Sequence, residues 1–82
     1  MKKTRINKQF DKHFGLYVRR KREEIGWTQD ELASRVGNNK QNISRLEQGE
    51  ISPTFFWCYK LAVAFEIEMK TIVEEFNYKM PE

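Results

Sequence analysis

Between positions 40 and 45 stand five hydrogen-bonding side chains, Lys40, Gln41, Asn42, Ser44 and Arg45, and none of them is acidic. If 40–48 is helical, Ile43, Leu46 and the stem of Glu47 share one inner face at helical spacing, and those five fall on the other. Amides and a guanidinium on one exposed helix face suit the edges of base pairs in a nucleic-acid groove, and lysine suits a guanine edge or a phosphate. The plainer reading of such a face is a wet helix surface. What separates the two readings is the set of elements that would position it.

Those elements are legible in the residues just before it. Gln29 to Val36 carries Leu32, Ala33 and Val36 on one helical face, and Gly37 breaks the pattern where a tight turn calls for positive φ. Thr28 to Glu31 reads T-x-x-E, a capping box that starts this helix, and Asn39 is the natural N-cap of the next. Ala33 is small enough to let the second helix cross close over the first. The result is a helix-turn-helix, a supporting helix followed by one whose outer face is open. Around it, the spacing predicts a first helix from about Asp11, as N-cap, to Ile25, with Phe10, Phe14, Val18 and Ile25 inward and Gly26 ending it. Trp27 is expected in the core between the first two helices. A fourth helix is expected over Phe55–Phe65 and a fifth over Met69–Phe76, the latter burying Ile72, Val73 and Phe76. The predicted organisation is an arm at 1–10, a domain at 11–76 and a frayed tail at 77–82.

Composition narrows the function classes. A chain of 82 residues that is 39% hydrophobic and 33% charged fits one small globular domain rather than a disordered segment. No apolar run approaches the roughly 18 residues of a membrane span, and MKKTRINK has no apolar stretch after its charges to act as a secretory signal. Cys58 is the lone cysteine and His13 the lone histidine, so neither a disulfide nor a metal cluster is expected. No cofactor, and a cytoplasmic setting, are the expectations. No Ser/His/Asp set, phosphate-cradling glycine loop or paired carboxylates point to an enzyme. Charge is divided: residues 1–49 hold twelve Lys/Arg against six Asp/Glu, a balance of +6, and residues 50–82 hold three against six, a balance of −3. The basic half contains the helix-turn-helix, as a phosphate-binding surface would require. Within it, Arg19-Arg20-Lys21-Arg22 reads either as phosphate contact or as a wet helix face.

From Phe14 to Ile72 the chain resembles the lambda-repressor/Cro-like family, the Xre-type helix-turn-helix domain. The matching signs are Arg22 four residues before Gly26, T-Q-x-E-L-A at Thr28–Ala33, Gly37, I-S-R-L-E-x-G at Ile43–Gly49, Pro53, and L-A-x-A-F at Leu61–Phe65. The resemblance implies a five-helix, all-α domain that binds operator DNA as a homodimer. Position by position, it implies that Lys40, Gln41 and Arg45 meet base edges, with Asn42 and Ser44 beside them. It implies phosphate contacts for Gln29 and Gln48, to which Arg19, Thr28 and Asn39 are added as neighbouring candidates, and an ion pair between Arg22 and Glu47 that is structural.

The sequence departs from the family pattern in three places. Glu50, Ile51 and Ser52 follow Gly49 where basic residues are common, Glu66 replaces the usual glycine after the fourth helix, and Glu68 is a poor N-cap for the fifth. The fourth helix is also rich in aromatics. Phe55, Cys58, Leu61, Ala62 and Phe65 complete its core face, which leaves Phe56, Trp57, Tyr59 and Val63 as a candidate dimer interface, unless the tail after residue 76 folds over them. Three functions follow as expectations: a sequence-specific regulator, repressor or autoregulator, of double-stranded DNA; a protein-interaction module or antitoxin that uses the fourth helix to hold a partner such as a toxin; and a non-specific nucleic-acid binder.

Overall fold

The computed structural model describes residues 5–79. Five helices follow one another: α1 (Arg5–Ile25), α2 (Gln29–Arg35), α3 (Lys40–Glu47), α4 (Phe55–Phe65) and α5 (Met69–Phe76). There is no strand among the described residues. α1 is the spine: it packs on α3 and on α5, α2 packs on α3, and α4 packs on α5. The core between them contains Phe14, Tyr17 and Val18 of α1, Leu32 and Ala33 of α2, Ile43 and Leu46 of α3, Leu61 and Phe65 of α4, and Ile72 and Phe76 of α5.

Local chemistry sets most of the boundaries. Thr28 Oγ1 accepts the Glu31 N–H while the Glu31 carboxylate accepts the Thr28 N–H, so the capping box is closed in both directions. Asn39 Oδ1 caps α3 through the Asn42 N–H, and Thr54 Oγ1 caps α4 through the Trp57 N–H. Each cap of this kind contributes about 1 kcal/mol. Glu68 makes no such bond at the start of α5. At the end of α4, Glu66 lies in the left-handed region with φ 58°, a conformation that costs a side chain about 1–2 kcal/mol.

The first helix starts earlier than its sequence pattern suggests. Asp11 is not its N-cap; it is a buried residue in the middle of α1 and accepts a hydrogen bond from the Ser52 hydroxyl of the α3–α4 loop. Residues 5–10 are therefore helix, and of the expected arm only 1–4, with Lys2 and Lys3, lie outside the described residues. Three expected core residues are on the surface: Ile25 is 43% exposed, Phe55 76% and Val73 64%. Ile25 sits in the last turn of α1 and Phe55 at the first residue of α4, and Phe55 and Val73 line an apolar groove with Phe10, Met69 and Tyr78 instead of being enclosed. Tyr17 takes the buried place that Ile25 does not, its phenol donating to Glu75 Oε1 at 2.7 Å. Trp27 is half-buried, stacked on Phe65 of α4 with the Arg35 guanidinium 4.1 Å from its ring centre, rather than enclosed between α1 and α2.

Past α5 the chain turns back on α1. Asn77 adopts a left-handed conformation, and Tyr78 meets Phe10, His13 and Phe76 edge-on or stacked. His13 Nε2–H donates to the Phe76 carbonyl at the end of α5. The start of the tail thus covers α1, not the aromatics of α4.

Candidate nucleic-acid interface

The position of α3 is fixed by two close approaches to α1. A Cβ on Gly15 would lie 2.5 Å from the Glu47 carbonyl oxygen and closer still to that of Leu46, so only glycine lets α1 meet the C-terminal end of α3 this closely. Gly49 combines φ +76° with the same constraint, since its Cβ would come within 2.7 Å of Lys12 Cα. With α3 pressed on α1 along its inner side, its opposite side faces outward.

One buried network joins the two helices. Arg22 Nε donates to Glu47 Oε2 at 2.6 Å, and its terminal nitrogen Nη2 donates to Oε1 at 3.1 Å. The other nitrogen, Nη1, donates to the Trp27 carbonyl at 2.7 Å. Gln29 Nε2 adds a fourth bond, to Glu47 Oε1 at 3.0 Å. Arg22 and Glu47 are both buried, and among the described residues no buried side-chain polar atom lacks a partner. The hydrogen bond to Glu47 is the main reason the Arg22 guanidinium holds its proton even more firmly than usual, with burial opposing it. This network ties α1, the α1–α2 turn, the first residue of α2 and the last turn of α3 into one unit.

On the outer side, Lys40, Gln41 and Arg45 are exposed, and their side chains engage in no hydrogen bond or ion pair among the described residues. With Gln29 and Ser44 they line one shallow concavity open to solvent. The remaining candidates are partly committed. Asn42 is half-buried, with Nδ2 donating to Asn38 Oδ1 at 2.7 Å. Ser44 Oγ accepts from Gln48 Nε2 at 2.8 Å. Asn39 and Thr28 spend their side-chain oxygens on capping, and Gln29 spends its amide on Glu47. Arg19 lies 3.5 Å from Glu23 in an exposed i,i+4 pair, and Lys21 pairs with Glu75 of α5 at 3.1 Å. The basic run 19–22 is thus divided: Arg22 is in the core, Lys21 reaches α5, Arg19 pairs within its own helix, and Arg20 is exposed.

Sequence reasoning missed Gly15 and Asn38. For Gly15 the signal is a lone glycine inside an otherwise helical pattern. For Asn38 it is the pair of consecutive asparagines ahead of α3.

The candidate surface is an exposed polar helix packed on a supporting helix and tied to α1 by a buried ion pair. Residues 18–72 match the helix-turn-helix family model. An uncharacterized HTH-type transcriptional regulator of Methanothermobacter thermautotrophicus is 45% identical over 47 residues, which cover 57% of this chain and 68% of that protein. One from Archaeoglobus fulgidus is 34% identical over 55 residues, 67% of this chain and 79% of that protein. Among solved structures, the restriction-modification controller protein C.AhdI from Aeromonas hydrophila superposes with a TM-score of 0.74 at 26% identity, covering 78% of this chain and 97% of the other. The P22 c2 repressor, solved with a synthetic operator, shares the fold at a TM-score of 0.65 and 24% identity, over 72% of this chain and 89% of the other. The chain belongs to the helix-turn-helix family of DNA-binding transcription regulators, in its lambda-repressor-like, five-helix form.

Proposed function

We propose that this protein binds an inverted-repeat operator in double-stranded DNA as a homodimer and acts there as a repressor or autoregulator. The observation that carries the reading is the outer face of α3, where Lys40, Gln41 and Arg45 stand exposed, with no side-chain partner among the described residues, on a helix whose inner side is tied to α1. In a major groove, Arg45 pairs with a guanine through O6 and N7, and Gln41 pairs with an adenine through N6 and N7. Lys40 at the start of the helix takes a guanine edge or a phosphate. Around them, Ser44 lets the helix approach closely, and Gln29, Thr28, Asn39, Gln48 and Arg19 supply phosphate contacts. Gln29 and Gln48 do so by giving up or sharing their present internal bonds. The similarity to a restriction-modification controller and to HTH-type transcriptional regulators supports a regulatory rather than a catalytic role.

The dimer is proposed to form through α4, where Phe56, Tyr59 and Val63 are 64%, 53% and 62% exposed and Trp57 is half-buried beside them. The same aromatics favour a second reading, a protein partner such as a toxin held on α4. A cytoplasmic setting fits either, and no helix of the described residues is long and apolar enough to cross a membrane.

Selection of binding sites from random double-stranded DNA tests the reading. It should enrich an inverted repeat whose half-sites lie about one helical turn (~34 Å) apart. Affinity for the selected site should fall by orders of magnitude between about 50 and 200 mM salt. No enriched sequence, or an affinity insensitive to salt, would refute it. Sedimentation of the protein bound to that site should give two chains per site, and a single chain would move the α4 surface to the second reading.

A further inference from the structure

We infer that Asn38 and Asn42 form an amide clip that sets the first turn of α3 and so the angle at which Lys40 and Gln41 are presented to DNA. This rests on the proposal that α3 reads bases, and it moves Asn42 from a reading role to a positioning one.

The clip is built from three hydrogen bonds. Asn38 Oδ1 accepts from the Asn39 N–H at 2.8 Å and from Asn42 Nδ2 at 2.7 Å. Asn39 Oδ1 accepts from the Asn42 N–H at 2.9 Å. Asn42 is therefore held at its backbone by one asparagine and at its side chain by the one before. The amide orientations are fixed by chemistry. A backbone N–H can only donate, so the Asn38 atom beside it is the oxygen, and the Asn42 atom that shares that oxygen must be the nitrogen. Both lone pairs of Asn38 Oδ1 are then used.

Burial places the pair apart from the reading surface. Asn38 and Asn42 are half-buried, whereas Lys40 and Gln41 between them are exposed. The turn that carries the clip has a left-handed Gly37 at φ +66° and lies at the opposite end of α3 from the Arg22–Glu47 pair. The C-terminal end of α3 is thus fixed to α1 by that ion pair, and its N-terminal end is fixed to its own turn by the clip. Without the clip the first turn of α3 keeps only its Asn39 cap, and the side chains at 40 and 41 sample a wider range before DNA arrives.

The test measures affinity for the selected operator and for a random duplex, with base preference at each operator position and a thermal melt, for wild type, N38A, N42A, N38A/N42A and N38D. N42A should lose about three- to tenfold in operator affinity, the size of one lost hydrogen bond, and N38A, which also removes the acceptor of the Asn39 N–H, at least as much, each with little change on random duplex. The double variant should be no worse than N38A, because N38A already breaks the contact that N42A breaks. Base preference should flatten at the pair facing Gln41, in N38A as in N42A. N38D keeps the oxygen acceptor, so its ratio of operator to random affinity should match wild type even if its added charge weakens both. A loss in N42A with N38A unaffected would make Asn42 a direct DNA contact and overturn the clip. So would additive losses, equal losses on operator and random duplex, or a lowered melt with unchanged base preference. If wild type itself shows no selectivity, the reading of α3 fails and the clip's role fails with it. If wild type is selective and N38A equals it, only the clip fails.

Discussion

Replacing Glu47 with alanine should damage the fold before it damages recognition. The carboxylate accepts three hydrogen bonds, two from Arg22 and one from Gln29, and the side chains of the ion pair are only 10% and 2% exposed. Removing one partner of a buried pair costs about 3–5 kcal/mol, chiefly because the other charge is stranded. Arg22 would keep its bond to the Trp27 carbonyl at 2.7 Å, which puts the cost near the lower end, about 3 kcal/mol. For a domain of this size each 1 kcal/mol moves the melting temperature by about 4–8 °C, so E47A should melt about 12–24 °C below wild type. That is a large share of a total stability expected at about 5–10 kcal/mol. Circular dichroism melts give the answer directly. The double variant R22M/E47M supplies the control: with no charge left to strand, it should recover much of the lost stability. An unchanged melt for E47A together with lost DNA binding would refute the reasoning and make Glu47 part of the DNA contact itself.

Three further outcomes follow from geometry. E66G should raise the melting temperature by about 4–8 °C, because glycine relieves roughly 1 kcal/mol at the left-handed φ of 58° that ends α4; an unchanged melt would mean that the glutamate carries no strain there. G15A should cost about 3 kcal/mol, the top of the overpacking range, since the added methyl meets backbone carbonyls of α3 that cannot rotate away; a wild-type melt would show that the α1–α3 approach is adjustable. The Tyr17 hydrogen bond, then that from Lys21, holds the Glu75 carboxyl below its ordinary value of 4.5. A depressed acid contributes stability above its unfolded value and loses it as pH falls through the folded one, so melts should drop below about pH 4.5 and E75Q should flatten that drop. The same melt profile in E75Q and wild type would contradict it.

The helices α2 to α5 were legible because their signals are local. Thr28, Asn39 and Thr54 are caps whose effect depends on the three residues that follow, and Gly37 marks a turn by its own conformational freedom. Asp11 misled for the opposite reason. An aspartate before an apolar run reads as a cap, but this one serves a hydroxyl 41 residues away, which nothing nearby in the sequence reveals. Ile25, Phe55 and Val73 lie on the right side of the periodic pattern, yet periodicity gives a direction and not the length of the neighbour that must cover it. In the candidate site, the outer face of α3 was readable from residue type. The commitment of Gln29, Asn42 and Gln48 to internal partners was not, because a free amide and a bonded one are the same letter.

The central claim is that the outer face of α3 reads base pairs, and Arg45 is its most exposed commitment. The direct measurement is the affinity of R45A and wild type for the selected operator, for operators changed at each position, and for random duplex. Loss of a bidentate contact to guanine should cost R45A about 1–3 kcal/mol on the operator. The variant should also stop distinguishing one base pair in each half-site, with its affinity for random duplex close to wild type. If R45A weakens operator and random DNA equally and keeps every base preference, Arg45 meets a phosphate and the claim is contradicted.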